Sequence, residues 1–202
     1  MLTGAIMYKR FKEWLERRRA VSAPVPAQTI TVNDKPYTLR RMTNEDIPAA
    51  LDIERAVYAD TPWERVAFMS ELAKTATAMY LVLVDPQTAA IVAFIGISFK
   101  RTDSHITNIA VLPDYQRQGI GRKLLELMLT LSRAMGMRTV SLEVRLDNVH
   151  AQSLYRTLGF VDGRVRRNYY TREHADALDM TLQLDGQLQQ ALAQDWDHRV
   201  NG

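Results

Sequence analysis

A short stretch with two glycines, Gln116 to Gly121 (QRQGIG), joins an apolar segment to an amphipathic one. The pattern predicts a strand, a loop and a helix, in which Gly119 and Gly121 leave the backbone bare at the start of the helix between Arg117 and Arg122. The first N–H groups of a helix are unpaired, and its N-terminus carries the positive end of the helix dipole. The stretch therefore predicts an anion-binding loop. The alternative is a tight turn followed by a solvated basic helix.

Two common phosphate-binding loops do not fit this stretch. A P-loop has Lys and then Ser or Thr directly after its second glycine, but Arg122, Lys123 and Leu124 follow Gly121. The dinucleotide-binding fingerprint needs a third glycine where Leu124 stands. The remaining pattern, Gln-x-x-Gly-x-Gly between a strand and a helix, indicates an anion without naming it.

A second segment, residues 141–160 (SLEVRLDNVHAQSLYRTLGF), contains two polar side chains that are candidates for chemistry, Glu143 and Tyr155. Strand alternation puts Glu143 on the face opposite to Leu142 and Val144. A strand after a crossover is usually covered on both faces, so a lone carboxylate there is notable, although a solvated strand face is the alternative. The helical pattern that follows directs Tyr155 toward the core, where plain packing is the alternative and its hydroxyl needs a partner.

Four motifs together resemble the GNAT superfamily of acetyl-CoA-dependent N-acetyltransferases. Within it they look like the ribosomal-protein-alanine N-acetyltransferases of the RimI type. The motifs are NIAVLPDYQRQGIGR, LEVRLDN, LYRTLGF and RRNYY (residues 166–170), and the resemblance covers roughly residues 37–184. It implies an α/β GNAT fold with a mixed central sheet of about seven strands flanked by helices. It also implies acetyl-CoA as the cofactor, with its pyrophosphate as the anion in the glycine loop.

By this resemblance, a strand edge holds the acetyl and pantetheine portions and the loop wraps the pyrophosphate. The implied contacts are Ile109, Ala110, Val111, Arg117, Gln118, Gly119, Ile120, Gly121 and Arg122. Asn148 matches the family asparagine that contacts the cofactor, and asparagine is also a preferred helix N-cap. Both interpretations of Asn148 can hold together.

The resemblance also assigns the catalytic groups: Glu143 as general base, and Tyr155 as the acid that protonates the departing coenzyme A sulfur. The chain contains no cysteine, which excludes an acetylated thiol, so we expect a neutral amine to attack acetyl-CoA directly. An α-amine has a pKa of ~7.7–8.0 and lysine ~10.4, so deprotonating lysine at pH 7 costs roughly 3–4 kcal/mol more. This difference favours an N-terminal α-amine as the acceptor.

The acceptor-binding residues are less well defined by the sequence. Trp63 and the proline before it resemble the family's Phe-Pro-Trp signature, but Thr61 replaces the aromatic residue. Tyr169 and Tyr170 match a segment between the last strands that flanks the substrate in the family. Core packing of Trp63 and a simple aromatic pair in a strand are the alternatives. Asp179 stands where relatives often carry an apolar residue, which leaves the acceptor's sequence open.

These side chains need a scaffold of alternating strands and helices. Strands are predicted at residues 79–84, 91–98, 105–111, 137–145, 160–169 and 177–184, after a hairpin or bent strand over residues 29–42. Helices are predicted at residues 43–57, 62–77, 149–158 and from the glycine loop to about 134. The crossover over residues 105–145 predicts a parallel pair of strands.

The chain divides into three segments of different character. We expect a basic amphipathic helical arm with a proline-containing linker at residues 1–28, a GNAT domain at residues 29–184, and a helical tail at residues 185–202. Residues 1–28 hold six basic and two acidic side chains, a net charge of +4, whereas the whole chain has +3 and residues 29–202 therefore −1. A nearly neutral body argues against a specific nucleic-acid partner. The arm could contact an anionic membrane or ribosomal RNA, pack on the tail, or stay solvated.

Several classes of protein are excluded or disfavoured. No apolar run approaches the ~20 residues that span a bilayer, and residues 1–20 are not typical of a secretory signal. Without cysteine there are no disulfides or thiolate metal sites, and the four histidines, His105, His150, His174 and His198, lack ligand spacing, so we expect no metal.

We therefore expect a cytoplasmic enzyme that acetylates the N-terminal amine of a small-subunit ribosomal protein beginning with alanine. Two alternatives stay open: an acetyltransferase for lysines or small amines, and a non-catalytic module that binds acyl-CoA. The segment RRNYY disfavours the first, and the presence of both Glu143 and Tyr155 disfavours the second.

Overall fold

The computed structural model describes residues 25–58, 63–171 and 174–184. The predictions of a helical arm before residue 25 and of a helical tail after residue 184 lie outside the described residues.

One mixed sheet of eight strands forms the centre of the described chain. The strands are β1 Gln28–Val32, β2 Lys35–Arg41, β3 Ala78–Val84, β4 Ile91–Lys100, β5 Asp103–Val111, β6 Thr139–Arg145, β7 Val161–Tyr170 and β8 Ala175–Gln183, in the order β1-β2-β3-β4-β5-β6-β8-β7. β5 and β6 pair in parallel, as the crossover predicted, and the other neighbours pair antiparallel. The sheet reaches eight strands because the first predicted strand is a hairpin, turning at Asn33 and Asp34, which both have positive φ.

The helices flank this sheet. They are α1 Ile47–Val57, α2 Arg65–Ala73, α3 Ile120–Ala134 and α4 Val149–Thr157. The Asp46 carboxylate accepts a hydrogen bond from the Thr43 N–H at 2.8 Å, which closes the predicted cap before α1. Gly159, at φ +93°, ends α4 as predicted.

The predicted extension of α2 to residue 77 is wrong. The helix ends at Ala73, and the N–H groups of Thr77 and Ala78 both donate to the Lys74 carbonyl, at 2.9 and 2.8 Å. This turn directs the chain straight into β3, so the residues after Lys74 cannot continue the helix.

Each face of the sheet has its own core. α3 and α4 pack on one face, where Met79, Leu81 and Leu83 of β3 contribute. α1 and α2 pack on the other face, which receives the alternate residues of the same strand, such as Tyr80 and Val82. Because the central strands are covered on both sides, they appear in the sequence as continuous apolar runs.

A bulge in β5 opens the sheet where the candidate site lies. Gly96 pairs with Asn108 whereas Ile97 pairs with Ile106, so Thr107 is an extra residue on β5. A side chain on Gly96 would collide with the Tyr80 ring and with Thr107, whose hydroxyls lie 2.7 Å apart. The last residue of β5 that pairs with its parallel partner is His105, two positions before this bulge.

The parallel ladder between β5 and β6 covers only residues 103–105 of β5 and residues 139–141 of β6. Both strands continue past it and both line the cavity between them. After the ladder ends, β5 and β6 leave a wedge-shaped opening between them, which we call the wedge. On one side of the wedge the β5 backbone makes no ladder hydrogen bonds to β6, and on the other side lie side chains of β6.

Candidate active site

A cavity of about 240 Å³ lies at the open end of the wedge between β5 and β6. It brings together seven of the residues that the sequence singled out: Trp63, Ile109, Glu143, Asn148, Tyr155, Tyr169 and Tyr170. These residues come from four strands and helices and from the segment before α2, so only the folded sheet makes them neighbours.

Glu143 lies on β6 with two cationic or titratable partners. Its Oε2 is 3.2 Å from Nε2 of His105, and its Oε1 is 3.1 Å from Nη2 of Arg166. The hydrogen bond with His105 is the largest influence on the pKa of Glu143, and together with Arg166 it outweighs burial and holds that pKa below its usual range. Glu143 is therefore ionised at neutral pH. The buried Leu142 and Val144 point to the other face, as predicted.

Arg166 is itself fixed by an aspartate. Asp179 lies directly opposite Glu143 in the β6–β8 pair, and its Oδ1 is 2.5 Å from Nε of Arg166. Its Oδ2 is 3.1 Å from Nε of Arg164. Asp179 thus supplies a second carboxylate that anchors Arg166 beside Glu143, and Arg166 offsets the repulsion between the two acids.

Tyr155 lies on α4 with 6% of its surface exposed, and it lines the cavity while its ring packs 5.9 Å from that of Phe160. Burial is the main cause that raises the pKa of Tyr155, and the neighbouring Tyr58 and Tyr170 act in the same direction. The phenol therefore keeps its proton at neutral pH. Its predicted core-facing position is confirmed, and it also borders the cavity.

Three aromatic residues form a further wall. Trp63 packs against Phe68 with centroids 5.2 Å apart, so the structure supports its core interpretation while also placing it on the cavity. Tyr169 and Tyr170 meet edge to face at 5.1 Å. The Arg166 guanidinium lies 5.5 Å from the Tyr169 ring centroid, which joins this wall to the charged groups around Glu143.

The glycine loop has the backbone form that an anion site requires. Gly119 caps α3 with φ +85°, in the left-handed region that favours glycine. The turn between β1 and β2 supports the loop from behind: Nδ2 of Asn33 donates to the Gln118 carbonyl at 2.8 Å, and Nζ of Lys35 donates to Oε1 of Gln118 at 3.2 Å. These two contacts link residues that are far apart in the sequence, so the motif alone could not reveal them.

Gly121 leaves open backbone at the start of α3. A Cβ at this position would meet Leu154 at 3.8 Å and Val111 at 3.9 Å, which are ordinary contacts. The fold therefore tolerates a side chain at Gly121, and the bare backbone fits a phosphate group that approaches the helix N-terminus.

The two flanking arginines reach toward α4. Nη1 of Arg117 is 3.4 Å from Nδ1 of His150, and Nη2 of Arg122 donates to Oγ1 of Thr157 at 2.6 Å. Ile120 is buried in the core under α3. The loop therefore presents backbone N–H groups and two positive charges, with an apolar anchor beneath, which fits a pyrophosphate.

The strand edge that leads to the loop also fits an extended ligand. Ala110 buries its side chain in the core beneath α1, so only its backbone is available on the wedge side. The carbonyl of Val111 accepts from Nε2 of Gln116 at 2.9 Å. Asn148 caps α4, with Oδ1 accepting from the Ala151 N–H at 3.1 Å, and it also lines the cavity. Its predicted N-cap role is confirmed.

Glu54 is a cavity residue that sequence reasoning missed. It lies on α1 with 1% of its surface exposed, and in the described part of the chain neither its Oε2 nor Nδ2 of Asn108 has a hydrogen-bond partner. Burial raises the pKa of Glu54 to about 7, with the Trp63 backbone and the neighbouring Asn108 amide acting in the opposite direction. The sequence did contain a signal for Glu54. It is a glutamate one helical turn after Ala50, on the face of α1 that is buried.

His105 was considered only as a metal ligand, yet it contacts Glu143. Among the described residues, no group of three or more His, Asp or Glu side chains is placed to hold a metal ion. In that same part of the chain no helix has the length and apolar character needed to cross a membrane.

Comparison with known proteins agrees with this fold. Residues 40–160 match the acetyltransferase (GNAT) family, and the chain belongs to that family. It is an acetyl-CoA-dependent N-acetyltransferase of the kind that includes the RimI enzymes. The predicted family, cofactor and enzyme class are thereby confirmed.

Two relatives and one solved structure are similar to the chain over most of their own length. The [ribosomal protein bS18]-alanine N-acetyltransferase of Escherichia coli strain K12 is 38% identical over 147 residues, 72% of this chain and 96% of the relative. The N-alpha-acetyltransferase RimI of Mycobacterium tuberculosis is 36% identical over 156 residues, 75% of this chain and 95% of the relative. The crystal structure of the E. coli ribosomal-protein-S18-alanine N-acetyltransferase superposes with a TM-score of 0.66 at 35% identity, covering 74% of this chain and 94% of that one.

Proposed function

We propose that the protein transfers acetyl to the N-terminal α-amine of ribosomal protein bS18, or of a similar small-subunit protein that begins with alanine. The observation that carries this proposal is the joint placement of an ionised Glu143 and a protonated Tyr155 on one cavity of about 240 Å³. The relatives named for this reaction, at 36–38% identity over most of their length, support it. We place the activity in residues 29–184, and we propose the cytoplasm as its location.

The chain would hold its cofactor along β5 and the glycine loop. The backbone of Ile109, Ala110 and Val111 borders the open wedge, and the backbone from Arg117 to Arg122 surrounds the N-terminus of α3. Asn148 contributes its side chain from the start of α4. When bound, acetyl-CoA supplies the thioester whose carbonyl carbon accepts the amine.

Glu143 and Tyr155 divide the proton transfers between them. An α-ammonium group loses two protons on its way to an amide: Glu143 accepts one and releases it to solvent, through water where contact is not direct. Tyr155 gives its proton to the sulfur as the carbon–sulfur bond breaks, and it regains one from the newly acylated nitrogen. An ionised carboxylate and a neutral phenol are the forms that these steps need, and both match the directions of the pKa shifts.

The aromatic wall of Trp63, Tyr169 and Tyr170 is proposed to flank the first residues of the acceptor. The same chemistry on a lysine is the main rival, and it would require removal of a proton from a group with a pKa of ~10.4 rather than ~7.7–8.0. A cavity whose ionised carboxylate has a lowered pKa is better matched to the α-amine.

The proposal is tested with bS18 that carries a free N-terminal alanine, and with the same protein after chemical blocking of its α-amine. Incubation with acetyl-CoA should add one acetyl group to the free protein and none to the blocked one, as measured by intact mass. Tyr155→Phe should slow this transfer while acetyl-CoA still binds. Equal acetylation of the blocked protein would refute the α-amine assignment.

A further inference from the structure

The buried carboxylate of Glu54 is the feature of the cavity that the proton steps above do not use. It reaches the cavity from α1, on the opposite side of the sheet from Tyr155 on α4, and its Oε2 is buried without a hydrogen-bond partner among the described residues. The Trp63 backbone and the Asn108 amide compensate the carboxylate only in part, because burial outweighs them and raises the pKa of Glu54 to about 7. A positively charged ligand would supply the partner that Oε2 lacks.

The basic side chains that line the cavity or lie next to it have other partners. Nη2 of Arg145 is 2.8 Å from Oδ2 of Asp147, and Arg166 is held between Glu143 and Asp179. His105 has Nε2 near Glu143 and Nδ1 3.0 Å from Oγ of Ser141. None of these contacts involves Glu54.

The one cation that the reaction itself brings into the cavity is the ammonium group of the acceptor. We propose that Glu54 is the carboxylate that binds this ammonium group, so that it determines the affinity for the acceptor while Glu143 receives the proton. This inference rests on the proposed acetylation of an amine, and it assigns a second carboxylate of the same site to substrate binding. An amine held by a buried carboxylate is placed at the end of the wedge, beside Asn108 and the aromatic wall.

Glu54 and the acceptor amine titrate close together, which gives acceptor binding a defined pH range. Below about pH 7 Glu54 is protonated, since burial raises its pKa to about 7, and it then offers no charge to the ammonium group. Above about pH 8 the α-amine loses its own charge. Binding of a free-amine peptide should therefore be tightest between these values. The other titratable or charged groups around Glu54 are Tyr58, Tyr80, His105, Glu143, Arg145, Tyr155, Tyr169 and Tyr170.

The test compares two peptides that differ in one group: one begins with alanine and has a free α-amine, and the other carries a neutral hydroxyl at that position. Their affinities are measured by calorimetry with coenzyme A present, so that no turnover occurs. The wild-type protein should prefer the amine peptide by about 10-fold or more at pH 7.5, the usual scale of a charge-assisted hydrogen bond. Glu54→Gln should bind both peptides equally and raise the KM of the amine peptide by a similar factor, with a smaller change in kcat.

Two variants serve as controls for charge and for mechanism. Asp52→Asn removes an exposed carboxylate from the same helix, where Asp52 pairs with Arg55, and should keep the preference. Glu143→Gln should also keep the preference for the amine while losing turnover. A melting temperature and a coenzyme A affinity near those of the wild type establish that Glu54→Gln is folded.

Retention of the amine preference in folded Glu54→Gln would overturn the proposal. If that variant does not fold, the preference of the wild-type protein for the amine peptide is measured as a function of pH. This preference should fall as the pH drops from 7.5 to 6, and a constant preference would refute the role of Glu54. The proposed function is tested separately, by locating the acetyl group on the amine peptide after reaction with acetyl-CoA. A label on the α-amine together with an unchanged preference would reject only the inference about Glu54.

Discussion

Two carboxylates in one cavity are held in different protonation states by their surroundings. His105 and Arg166 lower the pKa of Glu143, whereas burial raises the pKa of Glu54 to about 7. When neighbouring acids are separated in this way, their environments indicate different roles. Glu143 stays ionised across neutral pH. Glu54 is partly protonated near pH 7, and a positively charged ligand would hold it in its ionised form.

Replacing Glu143 tests the proton-accepting role at the scale of one residue. Glu143→Gln should lower kcat by about 100-fold or more, because general base catalysis typically contributes that much. Acetyl-CoA affinity should change by less than about 2-fold, since Glu143 lies beyond the proposed phosphate loop. Both values follow from steady-state kinetics and calorimetry.

A matched control for Glu143 is available on the surface. Asp162→Asn removes an exposed carboxylate that pairs with Arg156 at 2.7 Å, and it should leave kcat unchanged. Wild-type turnover of Glu143→Gln between pH 6 and 9 would contradict the role of Glu143. It would leave Glu54 as the remaining glutamate of the cavity to accept the proton.

Glu54 should also make the stability of the protein depend on pH. Its folded pKa of about 7 lies above the usual 4.5, so its favourable contribution is fully present below pH 4.5 and is lost as the pH rises through 7. The complete shift corresponds to at most roughly 3–4 kcal/mol of unfolding free energy. Glu54→Gln should therefore gain stability relative to the wild type between pH 5 and pH 8, measured by denaturant unfolding at both pH values.

Asp52→Asn, on the same helix, should show no such change between the two pH values. An equal difference between Glu54→Gln and wild type at pH 5 and pH 8 would show that Glu54 is already ionised in the folded protein at pH 5. In that case burial would not raise the pKa of Glu54 in the folded protein.

At the scale of elements, the helix N-terminus and the strand edge form one continuous binding surface. β5 leaves its parallel partner after residue 105 and leads through the loop into α3. The turn between β1 and β2 fixes the loop through Asn33 and Lys35, so the positions of the N–H groups are set before any ligand arrives. The backbone, more than the arginine side chains, thus defines the anion site.

Gly121→Val tests this surface without disturbing the fold. A Cβ at Gly121 makes only ordinary contacts, with Leu154 and Val111, and a melting temperature within a few degrees of the wild type is the check that the two further methyl groups of valine also fit. Its branched side chain should nevertheless occupy the space in front of the α3 N-terminus and weaken acetyl-CoA binding by about 100-fold, because the lost phosphate hydrogen bonds are charge-assisted. Affinity is measured by calorimetry on the purified variant.

Ala134→Val places the same side chain at the exposed last residue of α3 and should bind acetyl-CoA normally. Unchanged affinity in folded Gly121→Val would place the pyrophosphate elsewhere.

Local sequence signals predicted most of these elements, and long-range contacts account for what they missed. The alternation around Glu143, the cap at Gly159 and the parallel crossover all follow from nearby residues, and the structure confirms them. The end of α2 at Ala73 and the bulge at Thr107 do not, because the first depends on how the chain enters β3 and the second on the pairing of β5 with β4.

At the scale of the whole molecule, the sheet brings into one cavity residues that lie far apart in the chain. Glu54 comes from α1, His105 from β5, Glu143 from β6 and Tyr155 from α4. The sequence indicated Glu143 and Tyr155 because they lie in motifs that resemble a family. It could not indicate that Glu54 and His105 join them, since their separation in space depends on how the helices pack on both faces of the sheet.

We propose that this N-acetyltransferase modifies an α-amine. This proposal is tested most directly with a peptide that begins with a free alanine and carries one internal lysine, incubated with acetyl-CoA and then fragmented in a mass spectrometer. We expect the acetyl group on the N-terminal nitrogen, with the lysine unmodified, and a much slower reaction with Glu143→Gln. Acetyl on the lysine with a free N-terminus would contradict the proposed acceptor, while the GNAT fold and the use of acetyl-CoA would stand.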